Sequence, residues 1–206
     1  MNKNELEVIL KEHKKWLQGN GGIQANLTKV QLEGLDLRGI NLSGAILTES
    51  SFAESDLTKA DFSGAILDDS HFDYAILSNA NFRNAKLCNA ILFNVEAIDS
   101  DFSYANMNQS KLLYGNFSKS KFYNTSLCNT DMSHINLSEA QLVKADFSGN
   151  VPLAGAVMFG ANLTKANLCG ANFKYAVLNG IKTEGANFKD SKLSEAITNL
   201  KLKIEN

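Results

Sequence analysis

Cys88, Cys128 and Cys169 are the only thiols in this 206-residue sequence, and His13, His71 and His134 are the only imidazoles. Side chains of these types can supply a thiolate nucleophile with its base, a disulfide, or a zinc site. Each of those chemistries needs close approach, so what the six can do depends on the elements that hold them. A second group is acidic. Glu49, Glu54, Asp56, Asp61, Asp68, Asp69 and Asp73 face only Lys59 within residues 45–75, a local net charge of −6, whereas residues 151–206 carry seven lysines against four acids. A concentrated negative belt could receive a basic partner, and it could equally be a solvated surface. No glycine-rich phosphate loop is present, because the glycines recur on a five-residue frame and open no helix.

The element that must position these groups is a repeat. From Leu27 a Leu or Phe recurs every fifth residue to Phe147, and the series resumes at Leu153 and runs to Leu193. Of the 34 central positions, only Ala97 and Thr183 lack Leu, Phe or Met. Two residues before the centre, 27 of 34 positions hold Ala, Ser, Thr or Gly, which fits one large and one small side chain pointing inward from each unit. Two residues after it, 19 of 34 hold Gly, Asn or Asp, the types that tolerate a positive φ in tight turns. A period of five matches neither a helix nor a strand. A fixed short period means one unit that buries its apolar residue against copies of itself.

Ala60-Asp61-Phe62-Ser63-Gly64, Ala145-Asp146-Phe147-Ser148-Gly149 and Ala161-Asn162-Leu163-Thr164-Lys165 resemble the Ala-Asp/Asn-Leu/Phe-x-x consensus of the pentapeptide-repeat family. The resemblance covers about residues 25–196. It implies an all-β solenoid, a right-handed quadrilateral β-helix. Each pentapeptide would form one side and 20 residues one coil, giving about 8.5 coils over the 34 units. On that frame the three cysteines share one outward column, two coils apart. At a coil spacing of about 4.8 Å, neighbours lie roughly 9–10 Å from each other, too far for a disulfide or a shared zinc. Free, solvent-facing thiols are therefore expected. The histidines are expected at the surface, His71 and His134 on different sides, with no partner set for nucleophilic catalysis.

The ends and two irregularities complete the organisation. Residues 1–24 read as a capping helix and linker, 25–196 as the β-helix, and 197–206 as a tail. A helix is expected over residues 4–18. Leu6, Ile9, Leu10, His13 and Leu17 form its apolar stripe, Trp16 lies at the edge, and Asn4 and Glu7 resemble a capping box. Gly19, Gly21 and Gly22 should end it. Ala97 leaves the core thin, with Val95 as compensation. One extra residue at 148–153, where the only proline lies, shifts the register. Leu200-Lys201-Leu202-Lys203-Ile204 alternates as a half-buried strand that could cover the last coil.

For function, a net charge of −2 removes the electrostatic basis for direct nucleic-acid binding. No apolar run reaches the roughly 20 residues of a membrane span. The N-terminus lacks a signal-peptide core, so the cytoplasm is the expected compartment. No enzyme activity, cofactor or metal is expected. The reading is a non-catalytic repeat scaffold for a protein partner of unknown identity. Its candidate surface is the outward cluster Tyr74, Ile91, Phe93, Leu113 and Tyr114, and a homodimer through a coil end is a further expectation. The alternative comes from the family, some of whose members resemble duplex DNA and modulate type II topoisomerases such as DNA gyrase. In that case the acidic belt would be the working surface.

Overall fold

One unit explains the architecture. In Ala60-Asp61-Phe62-Ser63-Gly64, the Ala60 N–H closes a turn onto the Leu57 carbonyl at 2.9 Å. The Asp61 N–H donates to the Ile40 carbonyl of the preceding coil at 2.8 Å. The N–H groups of Phe62 and Gly64 donate to the carbonyls of Asn81 and Arg83 in the next coil, at 2.7 and 2.8 Å. The remaining donor, Ser63 N–H, is taken by the Asp61 carboxylate at 2.9 Å. All five backbone donors are thus satisfied by one repeated geometry, as a buried backbone requires. The Asp or Asn before the centre is the piece that completes it. The same side-chain contact recurs at Asn41, Asp56, Asn81, Asp131, Asn136 and Asn162.

The computed structural model describes residues 3–149 and 151–198 of this chain. Its ladder consists of isolated parallel bridges rather than strands, because a turn intervenes before any run can lengthen. Each bridge pairs a residue with the one 20 positions later, from Asn26↔Ile46 to Ser126↔Asp146. The result is a β-helical solenoid with four turns in every 20 residues. The spacing becomes 21 at Asn136↔Val157, Gln141↔Asn162 and Asp146↔Asn167, and returns to 20 from Pro152↔Asn172 onward. Pro152 has no N–H for the ladder, and such residues are confined to bulges and edges.

The turns carry their own strain. The residue two after each centre has a positive φ at 24 non-glycine positions, including Tyr74, Tyr114 and His134. This is the geometry that position i+2 of a type II turn demands. Side chains other than Gly or Asn persist there because bonds to the neighbouring coils fix the backbone.

Inside, the centres stack in four columns. Phe62, Phe82, Phe102 and Phe122 form a ladder with ring centroids 5.0, 4.8 and 5.2 Å apart. Phe72 meets two of these rings edge-on, at 5.9 and 5.8 Å. Small inward residues fill the remaining volume. Where they are polar they bond to turn carbonyls: Ser50, Ser70 and Ser110 to their own turn at 2.6 Å, Ser100 and Thr125 to a neighbouring coil at 2.7 and 2.8 Å. A buried hydroxyl with such an acceptor avoids the desolvation cost of an unpaired group.

Helix α1 (Lys3–Leu17) lies over the first coil. Leu6 is in the core, and Ile9 and Leu10 pack against it. Leu17, expected on the buried stripe, is instead exposed at its edge. Asn4 lies within the helix rather than capping it, because the helix already begins at Lys3. At the other end, the Asn20 N–H donates to the Lys15 carbonyl and the Gly19 N–H to that of Trp16, both at 3.0 Å, with Gly19 at φ 69°. These are the two bonds of a Schellman cap. Gly22 then passes so close to Glu12 that any Cβ would overlap the helix.

At the far end the core opens. Leu178 is fully buried, but Leu193 is only half-buried and Ile197 is 57% exposed. The alternating segment 200–204 lies outside the described residues.

Candidate interaction surfaces

The solenoid has four lateral faces, and the sequence-derived residues can be placed on them through the bridge pairs. The three cysteines are free thiols in one column, each half-buried rather than fully outward. Cys128 Sγ lies 3.1 Å from Ser148 Oγ and 3.5 Å from an Asp146 carboxylate oxygen. The Cys88 N–H donates to Asp68 at 2.9 Å. Burial pushes the Cys88 thiol above its ordinary value, and the Asp68 carboxylate adds to the shift. That is the opposite of an activated nucleophile.

The histidine expectation needs two corrections. His13 is not at the surface: its side chain is fully buried between α1 and the first coil. The helical stripe that docks the helix carries the ring inward with it. His71 and His134 also share a face rather than lying on different sides. His71 is in the bridge column of Ile91 and Lys111, and the next residue in that column, Asp131, belongs to the same pentapeptide as His134. His71 Nδ1 is 3.5 Å from Asp73. Among the described residues, no group of three or more His, Cys, Asp and Glu is arranged to hold a metal ion.

The aromatic cluster forms a continuous ladder on this face. Phe93 meets Tyr74 edge-on at 5.4 Å and Tyr114 edge-on at 5.7 Å. Ile91, in the bridge column beside it, and Leu113, whose carbonyl accepts from the Asn94 N–H at 3.0 Å, are half-buried. Tyr74 and Tyr114 are 54% and 52% exposed, so the ladder's outer edge faces water. The reading from residue types missed its fourth ring. His134 stacks on Tyr114 at 5.0 Å with the planes 1° apart, and it lies over Gly155, where a Cβ would collide with it. The signal was a spacing of 20 residues from Tyr114, overlooked because histidine was not counted among the aromatics. A second apolar strip was missed as well. Val157, Val177 and Ile197 form one bridge column with the 57%-exposed Phe159 beside it.

The seven acids do not share a face. Glu49, Asp68 and Asp69 are on one, Glu54 and Asp73 on the next, Asp56 on the third and Asp61 on the fourth, as their pentapeptides dictate. Several are already engaged. Glu49 pairs with Lys29 at 3.2 Å, and Asp56 with Arg38 at 3.6 Å. Asp61 accepts from Ser63 N–H at 2.9 Å and from Asn81 Nδ2 at 3.0 Å. No described helix is long and apolar enough to cross a membrane.

The family model described as Pentapeptide repeats matches in eight copies, over residues 25–64, 65–95, 75–113, 116–149 and 153–190. No curated protein matches the chain. Among solved structures, HetL, a pentapeptide repeat protein involved in heterocyst differentiation regulation from the cyanobacterium Nostoc sp. strain PCC 7120, is 27% identical. The match covers 96% of this chain and 97% of that one, with a TM-score of 0.48. A trypsin-treated form of QnrB1, a plasmid-mediated fluoroquinolone resistance protein, is 18% identical. It covers 86% of this chain and 92% of that one, with a TM-score of 0.56. At that identity the likeness to QnrB1 is one of fold.

Proposed function

Because the chain belongs to the pentapeptide-repeat family, whose proteins are generally non-catalytic repeat scaffolds, we propose that it too is a non-catalytic scaffold. It binds another protein through the face carrying Tyr74, Ile91, Phe93, Leu113 and Tyr114. The observation that carries this reading is the unbroken ring ladder. Tyr74, Phe93, Tyr114 and His134 are in consecutive contact along one face, with tyrosines about half exposed. Rigid aromatic side chains at the centre of a face are the residue types that dominate binding energy at protein interfaces. A stacked solenoid also presents a long surface without reorganising, which lowers the ordering cost of association.

The proposal keeps the organisation read from the sequence: cap and linker over residues 1–24, right-handed coils numbering about 8.5 over 25–196, and a tail over 197–206. It places the protein in the cytoplasm without a cofactor, and the half-exposed Leu193 and Ile197 end is where two copies would meet.

The topoisomerase alternative ranks second. Its support is the fold shared with QnrB1, and the spread of the acids over four faces weakens it. Affinity capture from extracts of the native organism tests the leading proposal. A partner retained by the wild-type chain and lost by both Phe93→Ser and Tyr114→Ala, with unchanged melting of each variant, supports it. Retention by both variants overturns it.

A further inference from the structure

The contact between α1 and the first coil turns on one imidazole. His13 is fully buried, and its Nδ1 accepts the Ala25 N–H at 3.1 Å. Ala25 is the first inward residue of the first coil, so this bond joins the helix directly to the end of the ladder. Nε2 is buried and makes no well-formed hydrogen bond. One ring face stacks on Trp16 at a centroid distance of 5.4 Å. Trp16 in turn lies over Gly44, whose carbonyl receives Gln24 Nε2 at 2.6 Å. The groups around the imidazole are therefore an indole, the Ala25 amide and the Ser43 backbone. Along α1 its charged sequence neighbours are Glu12 and Lys14, with Glu12 held by Lys15 at 2.6 Å. The influences on its proton affinity are its burial and the Ser43 backbone.

We infer that His13 is an acid-sensitive latch: it holds α1 on the coil end while neutral and releases it on protonation. The chemistry is a single proton uptake. An Nδ1 that carries a proton cannot accept the Ala25 N–H, so two donors would face each other. The new charge would also sit in a dry site with no carboxylate to receive it. Burial lowers the docked ring's affinity for protons, and the Ser43 backbone opposes this only in part. The sign follows. The docked state binds fewer protons than the undocked one, so docking is strongest above the free imidazole value of about 6.5. It weakens as pH falls from there towards the docked value, by about tenfold per pH unit. The paired glycines at 21 and 22, with φ of 79° and 82°, turn the chain from the helix towards the first coil. Release uncovers Leu27 and Leu32, which are 1% exposed in the closed form.

The test is hydrogen exchange of the full-length chain between pH 8 and pH 5, with protection factors corrected for the intrinsic pH dependence of exchange. The Ala25 amide is expected to lose protection about tenfold per pH unit below about 6.5. The Leu87 amide, deep in the ladder, should not change. Fluorescence of Trp16, the only tryptophan, should change in parallel. In His13→Asn the side-chain carbonyl can still accept from Ala25 but cannot titrate, so the Ala25 protection factor should become independent of pH. A flat Ala25 profile in the native chain overturns the latch, and so does loss of protection at Ala25 and Leu87 together. An unchanged pH dependence in His13→Asn also overturns it. If that variant fails to dock at pH 8, the native profile alone decides.

Discussion

The ring of Phe117 occupies the space that Gly115 leaves empty: a Cβ on Gly115 would overlap the Phe117 edge. Gly115 is the one glycine of the solenoid described without a positive φ, so its role is room rather than backbone freedom. Phe117 in turn stands one coil beyond Ala97 in the same core column. A small residue in one coil is thus offset by a large one in the next, and Val95, 2% exposed, fills the remainder.

Gly115→Ala should therefore behave as an overpacking mutation, destabilising the protein by about 1–3 kcal/mol. Gly64→Ala is the comparison, since open space surrounds Gly64 and its cost comes only from a φ of 65°. In reversible denaturant melts, combining Gly115→Ala with Phe117→Leu should recover part of the loss. A loss in Gly115→Ala that the second change does not reduce would show that the ring is not the obstacle.

The centre assignment makes a sharper contrast. Phe82 is fully buried, with rings at 5.0 and 4.8 Å on either side. Phe82→Ala should cost about 3–5 kcal/mol through the cavity it opens. Ser78 is half-buried, and its hydroxyl reaches the Glu96 carbonyl only at 3.5 Å. Ser78→Ala should be close to neutral in the same melt, and equal costs at the two sites would mean the inward register is misassigned.

The difference between what could and could not be read from residue types follows from range. The inward centres and the αL turn residues were legible because every unit repeats the same local pattern, a turn closed over three residues as from Ala60 to Leu57 and an Asp61 carboxylate that takes the Ser63 N–H. The acids were legible as a count but not as an arrangement, because a quarter-turn every five residues sends Glu49, Glu54, Asp56 and Asp61 to successive faces. Only the coil of 20 converts sequence spacing into a face. His13 was placed in the right helical stripe yet assigned to the surface. Whether a histidine on such a stripe is buried depends on where the helix docks, and the docking is a tertiary contact.

The Cys88 thiol should differ from a free cysteine in a defined direction. Burial and the Asp68 carboxylate both disfavour the Cys88 thiolate. Reaction of Cys88 with a thiol reagent at pH 8 should be slower than that of an exposed cysteine and should quicken as pH rises. Asp68→Asn, which keeps an acceptor for the Cys88 N–H, should speed it, each unit of pKa being tenfold in the thiolate fraction at a pH below the thiol's pKa. Gels run with and without reductant should show the same monomer. An intramolecular disulfide detected by mass spectrometry would contradict the column of free thiols.

Removing residues 1–20 takes away Leu6, Ile9, Leu10 and the His13–Ala25 bond together. The first coil would then present Leu27 and Leu32 with open ladder groups, a template for another chain. The truncated protein should aggregate or associate end to end in light scattering. If it remains a soluble monomer of undiminished melting temperature, α1 contributes no cover and is free to serve a partner.

The last prediction separates the scaffold from the topoisomerase modulator. A DNA mimic acts through summed charge, so its binding should fall steeply with salt, as contacts to a phosphate backbone do. Neutralising Glu49, Glu54, Asp56, Asp61, Asp68, Asp69 and Asp73 together should abolish its effect. A scaffold using Phe93 and Tyr114 should bind with little salt dependence, and truncating one anchor should cost about 2 kcal/mol or more. The assay is supercoiling by purified DNA gyrase with rising amounts of the chain and of each variant. No inhibition and no protection from quinolones are expected at micromolar concentration. Duplex DNA bears one charge per about 1.7 Å of its axis in a continuous array. Here seven acids are divided among four faces, and Glu49 and Asp56 already face Lys29 and Arg38. No single face can offer that array. Potent inhibition that disappears in the neutralised variant, and survives Phe93→Ser, would reverse the ranking and make the acidic coils the working surface.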